Sequence, residues 1–285
     1  MKSVADTYCW NSHRKLLTPA QTHIPALPTF GIQTRNSAGI SLLPHIHPDC
    51  MEIVFLSKGF QCFEVDGQMF NLSGNDIFVT YPDEPHSSGS YPESINEYIW
   101  FQLNLRTDLP FLGMDETHAS DLRKALLTLP RVFKGSSQLY ANLEECFFNM
   151  ASDDMLRRSI GLHSFICNLY RMLYQARNLE LIQADEIENA VIYIHEHIFE
   201  PILLEDVAAS CSLSLSRFKT GFKEKIGITP RTFINYLKIE QSKILLKNHS
   251  VTETAHKMGF DTPNYFATVF RRFTGQTPSQ FISGQ

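Results

Sequence analysis

The sequence predicts an α+β chain of two unlike parts: a small antiparallel β-barrel followed by helices, then an all-helical C-terminal domain made of two helix-turn-helix units in tandem. Three observations carry this. Between Thr29 and about Leu105, short apolar or alternating runs are broken by glycine, proline and aspartate, the pattern of strands and tight turns. After about Asp108 the apolar spacing becomes helical. Near the C-terminus the chain repeats itself, with Phe218, Phe222, Gly227 and Pro230 recurring as Phe266, Phe270, Gly275 and Pro278 at an offset of 48.

Prolines at 19, 25 and 28 predict an extended arm rather than a helix up to about Leu27. The strand runs are 39–43, 52–56, 61–65, 68–72, 76–80 and 97–105, with Lys58-Gly59 and Asp66-Gly67 supplying turns between them. Helical stripes follow: Leu122, Ala125, Leu126 and Leu129; then Leu139, Leu143, Cys146, Phe147 and Met150; then Leu162, Ile166, Leu169 and Leu173 on a helix from about 155 to 176. Two destinations suit these stripes, their own barrel and a homodimer interface through the 139–150 stripe or its neighbour. The polar stretch Asn178 to Asp185 is the expected linker, and a helix from Glu186 to His197 enters the last domain. The expected division is 1–110 for the barrel, 111–180 for dimerisation and linker helices, and 185–285 for the helix-turn-helix domain.

The 285 residues, 43% of them hydrophobic, suffice to bury a substantial core. Met1 to Trp10 lacks an apolar core of signal-peptide length, and no run approaches the roughly 18 apolar residues of a membrane span. A soluble cytoplasmic protein with no membrane partner is expected. The six cysteines are scattered without a Cys-x-x-Cys pair, which suits reduced, mostly buried thiols. The net charge of −5 is unevenly distributed, since Pro201 to Gln285 carries 11 Lys+Arg against 6 Asp+Glu and the preceding 200 residues carry 14 against 24. A basic segment on an acidic body holds phosphates locally.

Each repeat places a small alanine, Ala208 or Ala255, where two helices cross, then a turn, then a helix whose polar residues alternate with buried aromatics. Thr262-Pro263 opens the second such helix as N-cap and N1 proline. The connecting helix from about Pro230 to Asn248 carries Phe233, Leu237, Ile244 and Leu245 inward, and its length of about 27 Å helps one chain reach two successive major grooves. His195 and His197, at i and i+2, diverge on a helix and make no metal site.

With Gly259-Phe260-Asp261, Tyr265-Phe266, Phe270-Arg271-Arg272, Gly275 and Thr277-Pro278, the segment from Asp185 to Phe281 resembles the DNA-binding domain of AraC/XylS-type bacterial transcription regulators. Ser212 departs from it by replacing a usual turn glycine, Gly221 by sitting inside the first recognition helix, and Ile282 by standing where an arginine is common. The resemblance implies double-stranded promoter DNA as partner, with base-reading positions at Ser216, Arg217, Lys219 and Thr220, then Asn264, Tyr265, Ala267 and Thr268. Arg217 suits guanine and Asn264 adenine, while Lys223, Arg271 and Arg272 suit phosphates.

The spacing Gly39, His45-Ile-His47, Glu52, Gly59 resembles the first motif of the cupins, and Gly67, Gly74-Asn75-Asp76, Pro82 and His86 follow the outline of the second. Ser73 replaces a proline of that second motif, and its terminal asparagine is absent. The resemblance implies a barrel pocket lined by His45, His47, Glu52 and His86. His45 and His47 share a side because the strand period is two, and a break at Pro48-Asp49 lets Glu52 turn inward. Such a donor set takes either a polar small molecule, a sugar or related metabolite, or a divalent Zn, Mn, Fe or Ni ion. Two functions follow: a ligand-responsive transcription regulator, and a cupin metalloenzyme of dioxygenase or sugar-isomerase type with an appended helical domain. The basic tandem units favour the regulator, which needs no catalytic residues.

Overall fold

The computed structural model describes residues 2–3, 7–36, 38–89, 93, 95–177 and 186–283. The expected linker, Asn178 to Asp185, lies outside them. Among the described residues the strands are β1 (Lys2–Ser3), β2 (Cys9–Trp10), β3 (Arg14–Leu17), β4 (Thr29–Arg35), β5 (His45–Ile46), β6 (Cys50–Val65), β7 (Gln68–Ser73), β8 (Asp76–Thr80), β9 (His86–Ser87), β10 (Asn96–Asn104) and β11 (Val132–Lys134). The helices are α1 (Pro19–Thr22), α2 (Glu116–Leu126), α3 (Ser137–Met150), α4 (Met155–Arg177), α5 (Glu186–Glu196), α6 (Leu204–Ser210), α7 (Leu215–Ile226), α8 (Pro230–Leu245), α9 (Val251–Lys257), α10 (Pro263–Thr274) and α11 (Pro278–Ser283).

The N-terminal arm departs from the sequence expectation. Residues 14–17 pair with β4, and Pro19 opens the one-turn α1 under a Thr18 cap. A proline at N1 forfeits no helix hydrogen bond, so it starts a turn as readily as it breaks one. The expected strand at 39–43 is also absent; only an isolated bridge forms at Ser41, and Ile40 and Leu43 are exposed.

The expected turn at Lys58-Gly59 is instead a bend inside one 16-residue strand, β6. Its first half pairs with β10 and β8 in one sheet, and its second half pairs with β7 and β9 in the other. Against β10 the register slips between Glu97 and Tyr98, so one extra residue lies around Ser57, and Gly59 takes φ +85. An inserted residue reverses which side chains face inward. Met51, Ile53 and Phe55 join the core shared with the helices, while Val54 and Leu56 join the barrel interior; beyond the bulge Phe63 and Val65 are the interior residues. Asp66-Gly67 forms the expected hairpin turn, both residues at positive φ.

The 139–150 stripe is used within the subunit. Leu139, Leu143, Cys146, Phe147 and Met150 are all buried in the same core as Phe30, Phe101 and Phe165. The Phe147 ring lies edge-on to Phe30 at 5.3 Å and under Trp10 at 5.8 Å. One face of the barrel is thus covered by α3, with α4 packed behind it, and the stripe is not left over for a second copy.

The C-terminal helices form a separate aromatic core around Phe218, Phe222, Phe233, Phe266 and Phe270. Ala208 and Ala255 are buried where the short helices cross their recognition helices, as the repeat requires. Ser212 adopts φ +58, the left-handed turn that its counterpart Gly259 takes at +66, so the replaced glycine changes the residue and keeps the backbone. Ile244, expected inward, is exposed, whereas Phe233 is buried.

Candidate functional site: a polar barrel pocket and a nucleic-acid interface

His45, His47, Glu52 and His86 all lie buried inside the barrel. Asp49 takes φ +57 just before β6 begins, the break that turns Glu52 to the histidine side. His45 pairs directly with His86 between β5 and β9. The donor nitrogens of the three histidines fall within 4.8 Å of one another, with ring centroids 4.2 to 5.3 Å apart.

Protonation is set by backbone carbonyls. His45 Nδ1 meets Leu43 O at 2.8 Å and His86 Nδ1 meets Glu84 O at 3.2 Å. A carbonyl only accepts, so each Nδ1 carries the proton; His45 and His47 line the cavity, while His86 stands behind Glu52 and outside its walls. Glu52 sits between two imidazoles, Oε2 3.2 Å from His47 Nε2 and Oε1 3.2 Å from His86 Nε2. The second distance permits attraction, but the angle makes no hydrogen bond, and His86 Nε2 is left buried without a partner. Burial alone would raise the Glu52 carboxyl; His47 and His86 outweigh it and hold it well below the usual carboxylate range. Burial likewise opposes the charged form of His86, yet Glu52 leaves that imidazole above its ordinary value. His45 is lowered, first by burial and then by His86.

Gln102 was not legible in the sequence. It lies opposite Glu52 in the β10–β6 ladder and donates from Nε2 to Glu52 Oε2 at 2.9 Å, with the His47 ring 3.2 Å away. Only the register, a long-range property, brings it there. The cavity beside the cluster is about 90 Å³, and its walls include Arg14, Gln61, Glu93, Tyr98 and Trp100. Trp100 presents its ring with the Arg14 guanidinium 4.6 Å from the centroid. Three buried imidazoles and a carboxylate, with His86 Nε2 left without a hydrogen-bond partner, form a donor set that fits a first-row divalent ion.

The second site is the outer face of the repeat. Ser214 caps α7 and Thr262 caps α10, and both helices end at left-handed glycines, Gly227 at φ +78 and Gly275 at φ +77. Phe218, Phe222 and Ile226 turn one side of α7 inward; Phe266, Val269, Phe270 and Phe273 do so for α10. Ser216, Arg217, Lys219, Thr220 and Lys223 are exposed on α7, as are Asn264, Tyr265, Thr268, Arg271 and Arg272 on α10; Ala267 is half-buried. Thr268 bonds its hydroxyl back to Asn264 O at 3.0 Å and so presents its methyl outward. His195 and His197 diverge as expected, His197 stacking on Tyr193 and His195 meeting Phe233 edge-on.

Residues 207–283 match the family model of a helix-turn-helix domain, and residues 32–162 match that of the AraC-like ligand binding domain. The HTH-type transcriptional activator RhaS of Salmonella schwarzengrund is 27% identical over 254 residues, covering 85% of this chain and 88% of that protein. An uncharacterized HTH-type transcriptional regulator in the cgkA 5′ region of Pseudoalteromonas carrageenovora is 42% identical over 95 residues; these are 33% of this chain and 57% of the relative's length. Among solved structures, the DNA-binding domain of AdpA in complex with a target DNA aligns over 35% of this chain and 92% of that chain, at 27% identity and TM-score 0.34. ToxT from Vibrio cholerae aligns over 89% and 97%, at 12% identity and TM-score 0.35.

The pairing of Glu52 with His86 predicts a pH window. The raised His86 stabilises the fold below its unfolded value of 6.5 and ceases to do so as pH rises through its folded pKa. The lowered Glu52 stabilises above 4.5 and is lost as pH falls through its own folded pKa. Glu52→Gln is therefore expected to cost on the order of 1–3 kcal/mol, most of all between these two limits, as read by urea unfolding across the pH range. A deficit that does not vary with pH would refute the pairing.

Proposed function

We propose that this chain, which belongs to the AraC-type family of DNA-binding transcription regulators, responds to a compact polar effector in its barrel and reads two successive major grooves with α7 and α10. It is a regulator and not an enzyme, so the metalloenzyme alternative is set aside. The observation that carries the finer reading is the separation of the two sites: the candidate effector contacts lie inside the barrel, and the candidate DNA contacts lie on the outer faces of α7 and α10.

Arg217 and Asn264 read bases, Lys223, Arg271 and Arg272 hold phosphates, and Ser216, Lys219, Thr220, Tyr265, Ala267 and Thr268 complete the reading faces. Promoter DNA as partner makes the cytoplasm the place of action, and among the described residues no helix is long and apolar enough to cross a membrane. The effector is a small sugar or related metabolite, with Gln61, Glu93 and Tyr98 offering polar contacts and Trp100, its ring covered by Arg14, forming part of the wall. The cavity is well below the few hundred Å³ of ordinary small-molecule sites, so a full hexose requires its wall, for instance at Leu42, to move outward. His45, His47, Glu52 and His86 would hold a divalent ion, Zn, Mn, Fe or Ni; when bound it would fix the effector's oxygen atoms as a Lewis acid.

The chain works as a homodimer through α4. Leu156, Ile160, His163, Cys167, Tyr170 and Tyr174 are all exposed and follow the 4-3-4-3-4 spacing of a coiled-coil seam. In the antiparallel register that sets Leu156 against Tyr174 of a second copy, Asp153 also faces Arg177, so charge agrees with shape.

Arg217→Ala and Asn264→Ala are each expected to relax base preference at one position by about 1–3 kcal/mol, while Lys223→Ala weakens all sequences alike. Competition binding against randomised duplexes checks this; an unchanged specificity ratio for Arg217→Ala removes the assignment. For the metal, elemental analysis of protein purified without a nickel column should find one divalent ion per chain, absent in His47→Ala. A metal-free wild type that still responds to its effector counts against it. Ile160→Asp is expected to sediment as a monomer at tens of micromolar where the wild type is a dimer, and a dimeric variant would point to another face.

A further inference from the structure

We propose that Asn75 and Phe60, barrel residues remote from the reading faces, are positioning residues for DNA recognition: the barrel grips the recognition helices at their C-terminal ends. The proposal rests on the assignment of α7 and α10 as reading helices.

The last carbonyls of a helix lack partners within it. At the end of α7, Gly227 N donates to Lys223 O, and the next two carbonyls are met from the barrel: Asn75 Nδ2 donates to Lys225 O at 2.6 Å and lies 3.2 Å from Glu224 O. Asn75 is fixed for this task. It sits in the turn between β7 and β8 at φ +66, its N–H donates to Leu56 O at 2.6 Å, and its carbonyl accepts from Gly135 N at 2.8 Å. Its backbone therefore belongs to the barrel and its side chain to α7.

The two backbones touch beside this cap. A Cβ added at Gly74 would collide with the Ile226 carbonyl oxygen, and one added at Gly227 would collide with the carbonyl oxygen of Ser57, in the bulge of β6. Gly275, the counterpart of Gly227 at the end of α10, approaches the barrel less tightly, a Cβ there lying 3.5 Å from the Ala38 side chain. Between the two ends, Phe60 leaves the barrel and enters the core of the DNA-binding domain. Its ring stacks on Tyr236 of α8 at 3.6 Å and 8°, with Phe233 at 6.0 Å and Phe273 of α10 at 6.3 Å.

Phe60 is the strand neighbour of Gln61, which lines the polar pocket. Adjacent residues of a strand face opposite ways, so β6 presents one side chain to the effector and the next to the helices that read DNA. Recognition depends on how the N-terminal ends of α7 and α10 enter their grooves. A grip at the opposite ends sets that angle and leaves the reading faces open.

The test uses the full chain and duplexes that the wild type selects from a random pool, as the whole site and as the half read by the second unit alone. Gly74→Val wedges the contact, since an added Cβ meets Ile226 and Gly227 first, and the Gly74 backbone lies outside the left-handed region, so its own conformation accepts a side chain. Asn75→Asp keeps shape and turn preference but sets a carboxylate against two carbonyl oxygens. Both are expected to bind the whole site about tenfold more weakly, with second-half binding unchanged, and selection repeated with Asn75→Asp should lose base preference only at the first unit's positions. Whole-site affinity within about twofold of wild type in both variants overturns the proposal. So does an equal loss on both duplexes, the mark of general unfolding.

Discussion

Strand β6 is the constraint on which the rest depends. Sixteen residues without a chain break serve three environments, because one extra residue at the bulge reverses the in–out alternation. Before it, Phe55 packs with the helices and Glu52 reaches the histidines; after it, Gln61 lines the pocket and Phe60 stacks on Tyr236. Without the extra residue Phe60 would face the barrel interior and Gln61 the domain seam. An amide would then occupy an aromatic core and a phenyl ring the polar pocket, both unfavourable.

The histidine cluster is costly to bury and is held by the same strand order. A carboxylate in an apolar interior persists when its charge is met; Glu52 accepts a hydrogen bond from Gln102 and has the His47 and His86 imidazoles each 3.2 Å away, three residues far apart in sequence. The orphaned His86 Nε2 marks where the network is incomplete in the protein alone. A buried cluster with an imidazole nitrogen that makes no hydrogen bond within the protein is suited to receive a ligand, and that is the physical basis for proposing effector chemistry here.

The two helix-turn-helix units share a frame and differ in what surrounds it. Both recognition helices begin at a hydroxyl N-cap and end at a left-handed glycine, with φ values one degree apart. Yet the end of α7 is capped by Asn75 from another domain, and the end of α10 only passes near Ala38. Repetition fixes local geometry; the neighbouring domain makes the copies unequal.

The sequence by itself determined the class of both domains, because strand alternation, helical stripes and an internal repeat are local periodicities that need no partner to be seen. Through its resemblance to cupin and AraC/XylS motifs it also pointed to His45, His47, Glu52 and His86 and to the outer faces of α7 and α10, with strand parity adding that His45 and His47 share a side. Tertiary structure decided the rest. Pro19 opening a helix, Gly59 bending a strand instead of ending it, and Gln102 joining Glu52 each depend on what lies across the sheet. The 139–150 stripe looks the same in sequence whether it covers a barrel or a second copy, and only packing assigned it to the barrel and left the α4 stripe exposed. The reason is physical: periodicity states which face of an element is apolar, while the partner of that face is chosen by register and chain crossing, which couple residues dozens of positions apart.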